Sequence, residues 1–303
     1  MKIHTVILAA GEGSRMLSNK AKSLQPLGGH SMLQRIYSTV KDISDEATFV
    51  VGYEKHAIIA ETKLFDGIIH IAEQKKPIGT SDAVKSALSS ISESSIVLVL
   101  YGDVPLIKQD TLEKLITETK DGLTILSTII DNPQGYGRVK KDSQGFAQEI
   151  VEEKDASSSE KQIKEVFTGI LCCKKELLEE AINEVGNENA AGEYYLTDIV
   201  SIISSKGYKI KTCVVSNDEV KGANTKTELS ELEEIFRKMK AEELLQKGVT
   251  LSDKSRVDVR GTISVGKDCH IDVNVILDGN IELATGHHLK ADKILAAEGT
   301  SFL

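Results

Sequence analysis

Two glycines and an arginine follow the first apolar run of the chain, in Leu8-Ala9-Ala10-Gly11-Glu12-Gly13-Ser14-Arg15-Met16. Gly11 and Gly13 let the backbone close on an anion and aim N–H groups at it. Arg15, with Lys22 a few residues on, adds fixed positive charge, which suits a triphosphate whose pyrophosphate must leave. Neither common phosphate motif is present: Met16 stands where a dinucleotide fingerprint needs Gly or Ala, and no G-x-x-x-x-G-K-[ST] run occurs. A second segment, Gln74-Lys75-Lys76-Pro77-Ile78-Gly79-Thr80-Ser81-Asp82-Ala83, offers the Gln74 amide to a base edge and Gly79 for close backbone approach at a helix start. A third, Ile96-Val97-Leu98-Val99-Leu100-Tyr101-Gly102-Asp103-Val104-Pro105-Leu106, sets a carboxylate just past a buried strand, where a hard Mg²⁺ finds an oxygen ligand beside phosphates. Taken alone, each of the three also reads as an ordinary turn or helix cap. His4, His30, His56 and His70 form no catalytic constellation.

These residues need a scaffold, and the first half of the chain supplies one. Strand-like runs at Thr5–Leu8, Ala47–Val51, Ile68–Ala72, Ile96–Leu100 and Leu123–Ile130 alternate with helical periodicity at Ser31–Val40, Glu54–Leu64, Thr80–Ile91 and Gln109–Glu118. Such alternation predicts an α/β fold, a Rossmann-like, doubly wound, mostly parallel sheet with sites at the carboxyl ends of its strands. All four prolines lie at or before Pro133. Beyond it come longer strands, Gly137–Lys141, Phe146–Glu153 and Val166–Cys173, with helices Lys174–Val185 and Leu196–Ser205, read as an inserted antiparallel lobe facing the substrate. The expected domains are residues 1–226, a connecting helix at 227–248 capped by Gly248, and a repeat region at 249–303. In that region Val259, Val265, Ile271, Leu277, Leu283, Leu289 and Leu295 recur every sixth residue. Val257, Ile263, Cys269, Val275 and Ile281 form a second track two residues earlier. Six is the period of a parallel β-helix, here a short left-handed one of about two coils, with the period lost over Ala296–Leu303.

The composition narrows the partners. With 303 residues and a net charge of −9, the chain is large enough for a sizeable core and too acidic for a broad nucleic-acid face. Aromatic residues make up 4% and Trp is absent, which removes the stacking platforms that nucleic acids use. A small anionic substrate must therefore have its charge met locally. Cys172, Cys173, Cys213 and Cys269 show neither C-x-x-C spacing nor a metal pattern and fit a reducing cytoplasm. No apolar run approaches the roughly 18 residues of a membrane span.

The three segments, with Gly135-Tyr136-Gly137-Arg138, Ile150-Val151-Glu152-Glu153-Lys154-Asp155, Gly192-Glu193-Tyr194-Tyr195-Leu196-Thr197-Asp198 and Gly222-Ala223-Asn224, resemble the sugar-1-phosphate nucleotidyltransferase family along almost the whole chain. The resemblance implies that Leu8, Ala9, Gly11 and Gly13 line the nucleotide, Arg15 and Lys22 hold the phosphates, and Gln74, Gly79 and Thr80 read the uracil. It also implies Mg²⁺ on Asp103 and Asn224, Tyr101 and Gly102 beside the substrate, and an amino sugar held by Gly137, Glu152, Tyr195 and Thr197. Arg15, Lys22 and Asp103 become the catalytic set.

Two departures stand out: Ala21 replaces the family's proline before Lys22, and Phe167 replaces the substrate-binding asparagine before Thr168-Gly169. A phenyl ring cannot replace an amide's hydrogen bonds, so the sugar contact at Phe167 must differ. The implied reaction joins UTP to N-acetyl-α-D-glucosamine 1-phosphate, giving UDP-N-acetylglucosamine and pyrophosphate for cell-wall and lipopolysaccharide precursors. Glucose 1-phosphate with UTP or dTTP, and a catalytically silent sugar-nucleotide-binding subunit, are the alternatives. The most similar branch of the family carries acetyl transfer on a long, trimerising β-helix. With about two coils here, acetyltransferase activity is expected to be absent, and a homotrimer through the β-helix is left open.

Overall fold

The computed structural model describes residues 2–119 and 122–296; the expected loss of period over Ala296–Leu303 lies outside them except at Ala296. The chain divides into two compact units, one of residues 1–24 and 32–221, the other of 25–31 and 222–303.

In chain order the elements up to residue 118 are β1 (Ile3–Leu8), the hairpin β2 (Pro26–Leu27) and β3 (His30–Ser31), α1 (Met32–Val40), β4 (Glu46–Val51), α2 (Lys55–Thr62), β5 (Ile69–Glu73), α3 (Thr80–Ala87), β6 (Ile96–Tyr101) and α4 (Gln109–Glu118). Then come β7 (Leu123–Ile129), β8 (Arg138–Lys141), β9 (Ala147–Val151), β10 (Glu165–Lys174), α5 (Lys175–Glu184), α6 (Asp198–Ser205), β11 (Lys211–Val215) and α7 (Asn217–Val220).

The main sheet has the order β11-β7-β10-β6-β1-β4-β5, with β8 and β9 attached beside β10. β6, β1, β4 and β5 run parallel. The runs of β6, β1 and β4 are largely apolar and buried because both faces are covered, whereas β5 at the edge is only partly buried. Val97 and Val99 pack with α3, α5 and α6 in one core cluster, whereas Leu98 and Leu100 pack with α1 and α4 in the other. Burial of each such aliphatic side chain stabilises by roughly 1.5–3 kcal/mol, so β6 is a firm anchor for the loop that follows it. From β1 the chain moves outward through β4 to β5, then returns past β1 to β6. The crevice between β1 and β6 is therefore the topological switch point, where open α/β sheets bind ligands.

β10 corrects the sequence reading. Rather than belonging to an inserted lobe, it lies inside the main sheet, antiparallel to both β6 and β7. Its apolar run is buried by that pairing, and only the β8–β9 hairpin stands off as an antiparallel addition. His4 and His70 stack 5.8 Å apart beside Glu46, at the amino ends of β1, β4 and β5. The parallel registers His4 to Glu46 and Thr48 to His70 create this group, which sits at the opposite end of the strands from the crevice.

In the second unit α8 (Lys226–Gln246) begins at a capping turn, with the Thr225 hydroxyl accepting from the Glu228 N–H at 3.1 Å. The hairpin residues join it, as Gly28 N–H donates to Glu233 at 2.8 Å and Lys226 donates to Gln25 at 2.5 Å. There follow β12 (Thr250–Leu251), β13 (Val257–Arg260), β14 (Ile263–Val265), β15 (His270–Ile271), β16 (Val275–Asp278), β17 (Ile281–Leu283), β18 (His288–Leu289) and β19 (Ile294–Ala296). They form three parallel ladders in which Val257 pairs with Val275, Ile263 with Ile281 and His270 with His288. The spacing is 18 residues, as in the corner contacts Arg256 to Asn274 and Asn274 to Asp292, so three six-residue sides make one coil. Val259, Cys269, Ile271, Leu277, Leu283 and Leu289 fill the interior, and His287 and His288 are exposed as their flanking positions require.

Coils stack closely at Gly261, where an added Cβ would lie 2.1 Å from the Gly279 carbonyl oxygen. Gly261→Ala is therefore expected to cost this unit about 1–3 kcal/mol. Hydrogen-exchange mass spectrometry reads this as lost protection over residues 257–283, with the central sheet unchanged; unaltered protection there contradicts the stacking account.

Candidate active site

A cavity of about 260 Å³ opens at the carboxyl ends of β1 and β6. Leu8, Ala9, Gly11, Lys22, Gln74, Gly79, Thr80, Tyr101, Gly102 and Asp103, all singled out from the sequence, line it. Leu8 and Tyr101 face each other in register across the two strands, which brings the turn after each strand to one place. The Lys22 ammonium donates to Asp103 Oδ2, an ion pair joining residues far apart in the chain. Gly13 is needed beside it: φ is +63°, and a Cβ there would sit 2.7 Å from the Lys22 Cβ. Arg15 lies on the short 3₁₀ turn Ser14–Met16, exposed and outside the cavity lining.

The opposite wall is pinned by hydrogen bonds. The Gln74 amide donates to the Gly79 carbonyl at 2.9 Å and to Asp82 at 3.1 Å. Gly79 has φ +142° and approaches Tyr194 so closely that a Cβ would lie 2.2 Å from its carbonyl oxygen. Ser81 N–H donates to that same oxygen at 3.0 Å, and Leu196 N–H donates to the Thr80 hydroxyl at 3.0 Å. Burial pushes the Tyr101 phenol above its ordinary range, opposed by a hydrogen bond with Thr80.

The residues expected to hold a sugar gather beside this wall. The Thr197 hydroxyl donates to Glu152 at 2.9 Å, and a Cβ on Gly137 would come 3.5 Å from the same Glu152 oxygen. Burial raises the Glu152 carboxyl, against the Thr197 hydrogen bond, and Asp155 raises it further. Burial raises the half-buried Tyr195 phenol too, again with Asp155 and Glu152 adding to it. Carboxylates and a hydroxyl so placed are acceptors for sugar hydroxyls. Phe167 is close through its backbone, donating to the Gly137 carbonyl at 2.8 Å, but its ring is buried in the core with Val139, Ile150 and Leu196.

Several residues that hold the site were not singled out from the sequence. Ser23, Pro77 and Glu193 also line the cavity. Gly169, at φ +86°, backs onto the Tyr101 ring, which a Cβ would meet at 2.5 Å. An isolated glycine inside a strand-like run is the signal that announces such an approach. Arg138 is buried, pairs with Glu153 at 2.6 Å and donates to the Tyr136 carbonyl, while Glu153 accepts from Gly135 N–H at 3.2 Å. It thereby clamps the Gly135–Gly137 loop. Asn224 lies on the second unit, where its backbone N–H donates to Glu228 at 2.6 Å.

The Asp103 carboxylate offers the hard oxygen ligand that a divalent metal takes. Asp103 already accepts a cation, the Lys22 ammonium, at the cavity wall. One carboxylate leaves most of a divalent cation's shell to phosphates and water.

Asp198 carries a pH signature. Burial first, then Glu152 and Asp155, raise its carboxyl from the ordinary 3.8 to about 6. The folded protein thus keeps this proton to higher pH than the unfolded chain does. Stability from this group is present at about pH 4 and lost as pH rises through 6. Asp198→Asn is expected to raise the melting temperature relative to the parent increasingly across that range, and a pH-independent difference between the two contradicts the assignment.

Residues 5–135 match the MobA-like NTP transferase domain family. The chain is 45% identical over 285 residues to the bifunctional protein GlmU of Francisella philomiragia, and 43% over 284 residues to that of Ruthia magnifica. Each alignment covers 93% of this chain and 62% of the relative, so the chain spans about three fifths of the length of these curated relatives. A solved structure from Bacillus anthracis, described as a glucose-1-phosphate thymidylyltransferase, superposes with a TM-score of 0.61 at 19% identity, covering 76% of this chain and 94% of that one. That likeness carries the fold alone. No helix among the described residues is long and apolar enough to cross a membrane. Residues 5–135 are thus similar to the MobA-like NTP transferase domain, and the chain is similar along almost its whole length to part of the bifunctional GlmU proteins.

Proposed function

We propose that the chain transfers a uridylyl group from UTP to N-acetyl-α-D-glucosamine 1-phosphate, releasing pyrophosphate and forming UDP-N-acetylglucosamine, a step toward cell-wall and lipopolysaccharide precursors. The observation that supports this most is one cavity lined by the glycine turn, Gln74, Thr80 and the Lys22–Asp103 pair together. A nucleoside fits between Gln74 and Gly102, with its phosphates reaching Gly11, Lys22 and the exposed Arg15.

The attacking oxygen belongs to the sugar phosphate, largely ionised near pH 7 given a second pKa of about 6. It forms a bond to the α-phosphorus as the bond to pyrophosphate breaks, so no protein nucleophile is needed. Rate then comes from positioning and from charge placed where the leaving group develops it. Lys22 and Arg15 neutralise pyrophosphate, Gln74 and Thr80 fix the base, and Glu152 and Thr197 orient the sugar. Asp103 would hold Mg²⁺, which would supply further neutralisation of the phosphates. In this reading residues 1–226 form the transferase domain, 227–248 a connecting helix and 249–303 the start of a hexapeptide-repeat β-helix acting in the cytoplasm.

Phe167 favours a second reading at the sugar end. Its ring is turned into the core, so the contact an asparagine side chain makes in the family is missing, which admits glucose 1-phosphate as an acceptor. Pyrophosphate release with UTP or dTTP, each paired with N-acetylglucosamine 1-phosphate or glucose 1-phosphate, separates the readings. UTP with the N-acetylated sugar is expected to be the fastest pair, and Asp103→Ala to lower its turnover at least about 100-fold with an unchanged circular dichroism spectrum. Undiminished turnover in that variant sinks the metal and catalytic role of Asp103.

A further inference from the structure

With 1% of its surface exposed, Arg138 is a buried cation, and a buried charge is costly unless a partner meets it. Both of its partners border one loop. Nη2 pairs with Glu153 at 2.6 Å and Nη1 donates to the Tyr136 carbonyl, while Nε has no partner. Glu153 in turn accepts from Gly135 N–H at 3.2 Å. The pair thus staples the loop that enters β8 to the residues that leave β9. From β10, Phe167 N–H holds the Gly137 carbonyl at 2.8 Å. A buried ion pair contributes little net stability over apolar residues of the same volume, so its presence calls for another role.

What the staple holds is the approach of Gly137 to Glu152. A Cβ on Gly137 would lie 2.7 Å from Ile150 Cγ2 and 3.5 Å from Glu152 Oε1, so the loop lies directly against that carboxylate. The Thr197 hydroxyl donates to the same oxygen at 2.9 Å. Thr197 follows Leu196, whose N–H donates at 3.0 Å to the hydroxyl of Thr80, a residue of the cavity lining. Glu152 is therefore tied to the cavity wall through two hydrogen bonds, and its charge reaches the Tyr101 phenol on that wall. The loop, Arg138 and Glu153 themselves lie outside the lining. Arg138 also acts on Glu152 by charge: burial raises this carboxyl, and Arg138 is among the groups that oppose the rise, favouring the ionised acceptor. We propose that Arg138 is a positioning residue for the acceptor sugar: paired with Glu153, it holds the Gly135–Gly137 loop against Glu152 and so sets the affinity for the sugar 1-phosphate without acting on the nucleotide. This rests on the sugar reading of Glu152 and Thr197 given above.

The test is steady-state pyrophosphate release at saturating UTP by the full chain and its Glu153→Gln and Arg138→Lys variants, using the sugar 1-phosphate that the parent turns over fastest. Calorimetric titration of UTP and thermal melts accompany it for all three proteins. Glu153→Gln removes the charge that pairs with Arg138, and Arg138→Lys puts a point charge where a planar fork meets two partners. In each variant KM for the sugar 1-phosphate is expected to rise about tenfold, with kcat within about threefold and UTP affinity within about twofold of the parent, the pattern of lost uniform binding of one substrate. Where one variant fails to fold, the other decides. An unchanged sugar KM in either folded variant overturns the inference. A parallel loss for sugar and UTP, or failure of both variants to melt cooperatively, assigns the pair to the fold alone and overturns it as well. A parent that turns over no sugar 1-phosphate overturns the sugar reading of the site and this inference with it.

Discussion

The parallel pairing of β1 with β6 is the constraint on which the site depends. Leu8 and Tyr101 end in register, so the glycine turn after one strand and the Gly102-Asp103 turn after the other open into the same space. Each strand is buried on both faces, which leaves little freedom to slide: a slip of one residue would exchange Val97 and Val99 for Leu98 and Leu100 between the two core clusters. Fixed strand ends fix the Lys22–Asp103 pair, since the Lys22 side chain is wedged against Gly13 on one side and meets the carboxylate on the other. What looks like local chemistry is held in place by the sheet.

An acidic chain that takes a triphosphate, as proposed, has to confine its positive charge. A net charge of −9 rules out a broad cationic face, and the side of the site proposed to hold a sugar is itself acidic: Asp155 and Glu193 help to raise the Glu152 carboxyl, and Glu152 and Asp155 that of Asp198. Lys22 is paired with Asp103 rather than surrounded by other cations. Such an arrangement attracts phosphate over a few ångströms and repels it elsewhere, which favours a small ligand with a defined orientation. The acidic sugar side adds hydrogen-bond acceptors, and hydroxyl-rich ligands use acceptors well.

Sequence patterns carried the outline of this protein because the relevant signals were local. The six-residue period survives as three ladders, and the Tyr101-Gly102-Asp103 turn falls where a strand of that composition must end. What escaped was set by long-range pairing. β10 reads as a peripheral strand by composition, yet its place is decided by β6 and β7. The residue range 25–31 looks like part of the first domain and is packed with α8 instead. Phe167 marked a departure from the family pattern, but its burial in the same core cluster as Val139, Ile150 and Leu196 could be read only from the structure.

The central claim is that the Lys22 ammonium, positioned by β1 and β6, is a principal charge that holds the triphosphate. Isothermal calorimetry of UTP against the parent chain and Lys22→Met measures it directly. A loss of affinity of about tenfold or more in the variant, with its fold intact, is the predicted result. Equal affinity for UTP in the two proteins would contradict the account.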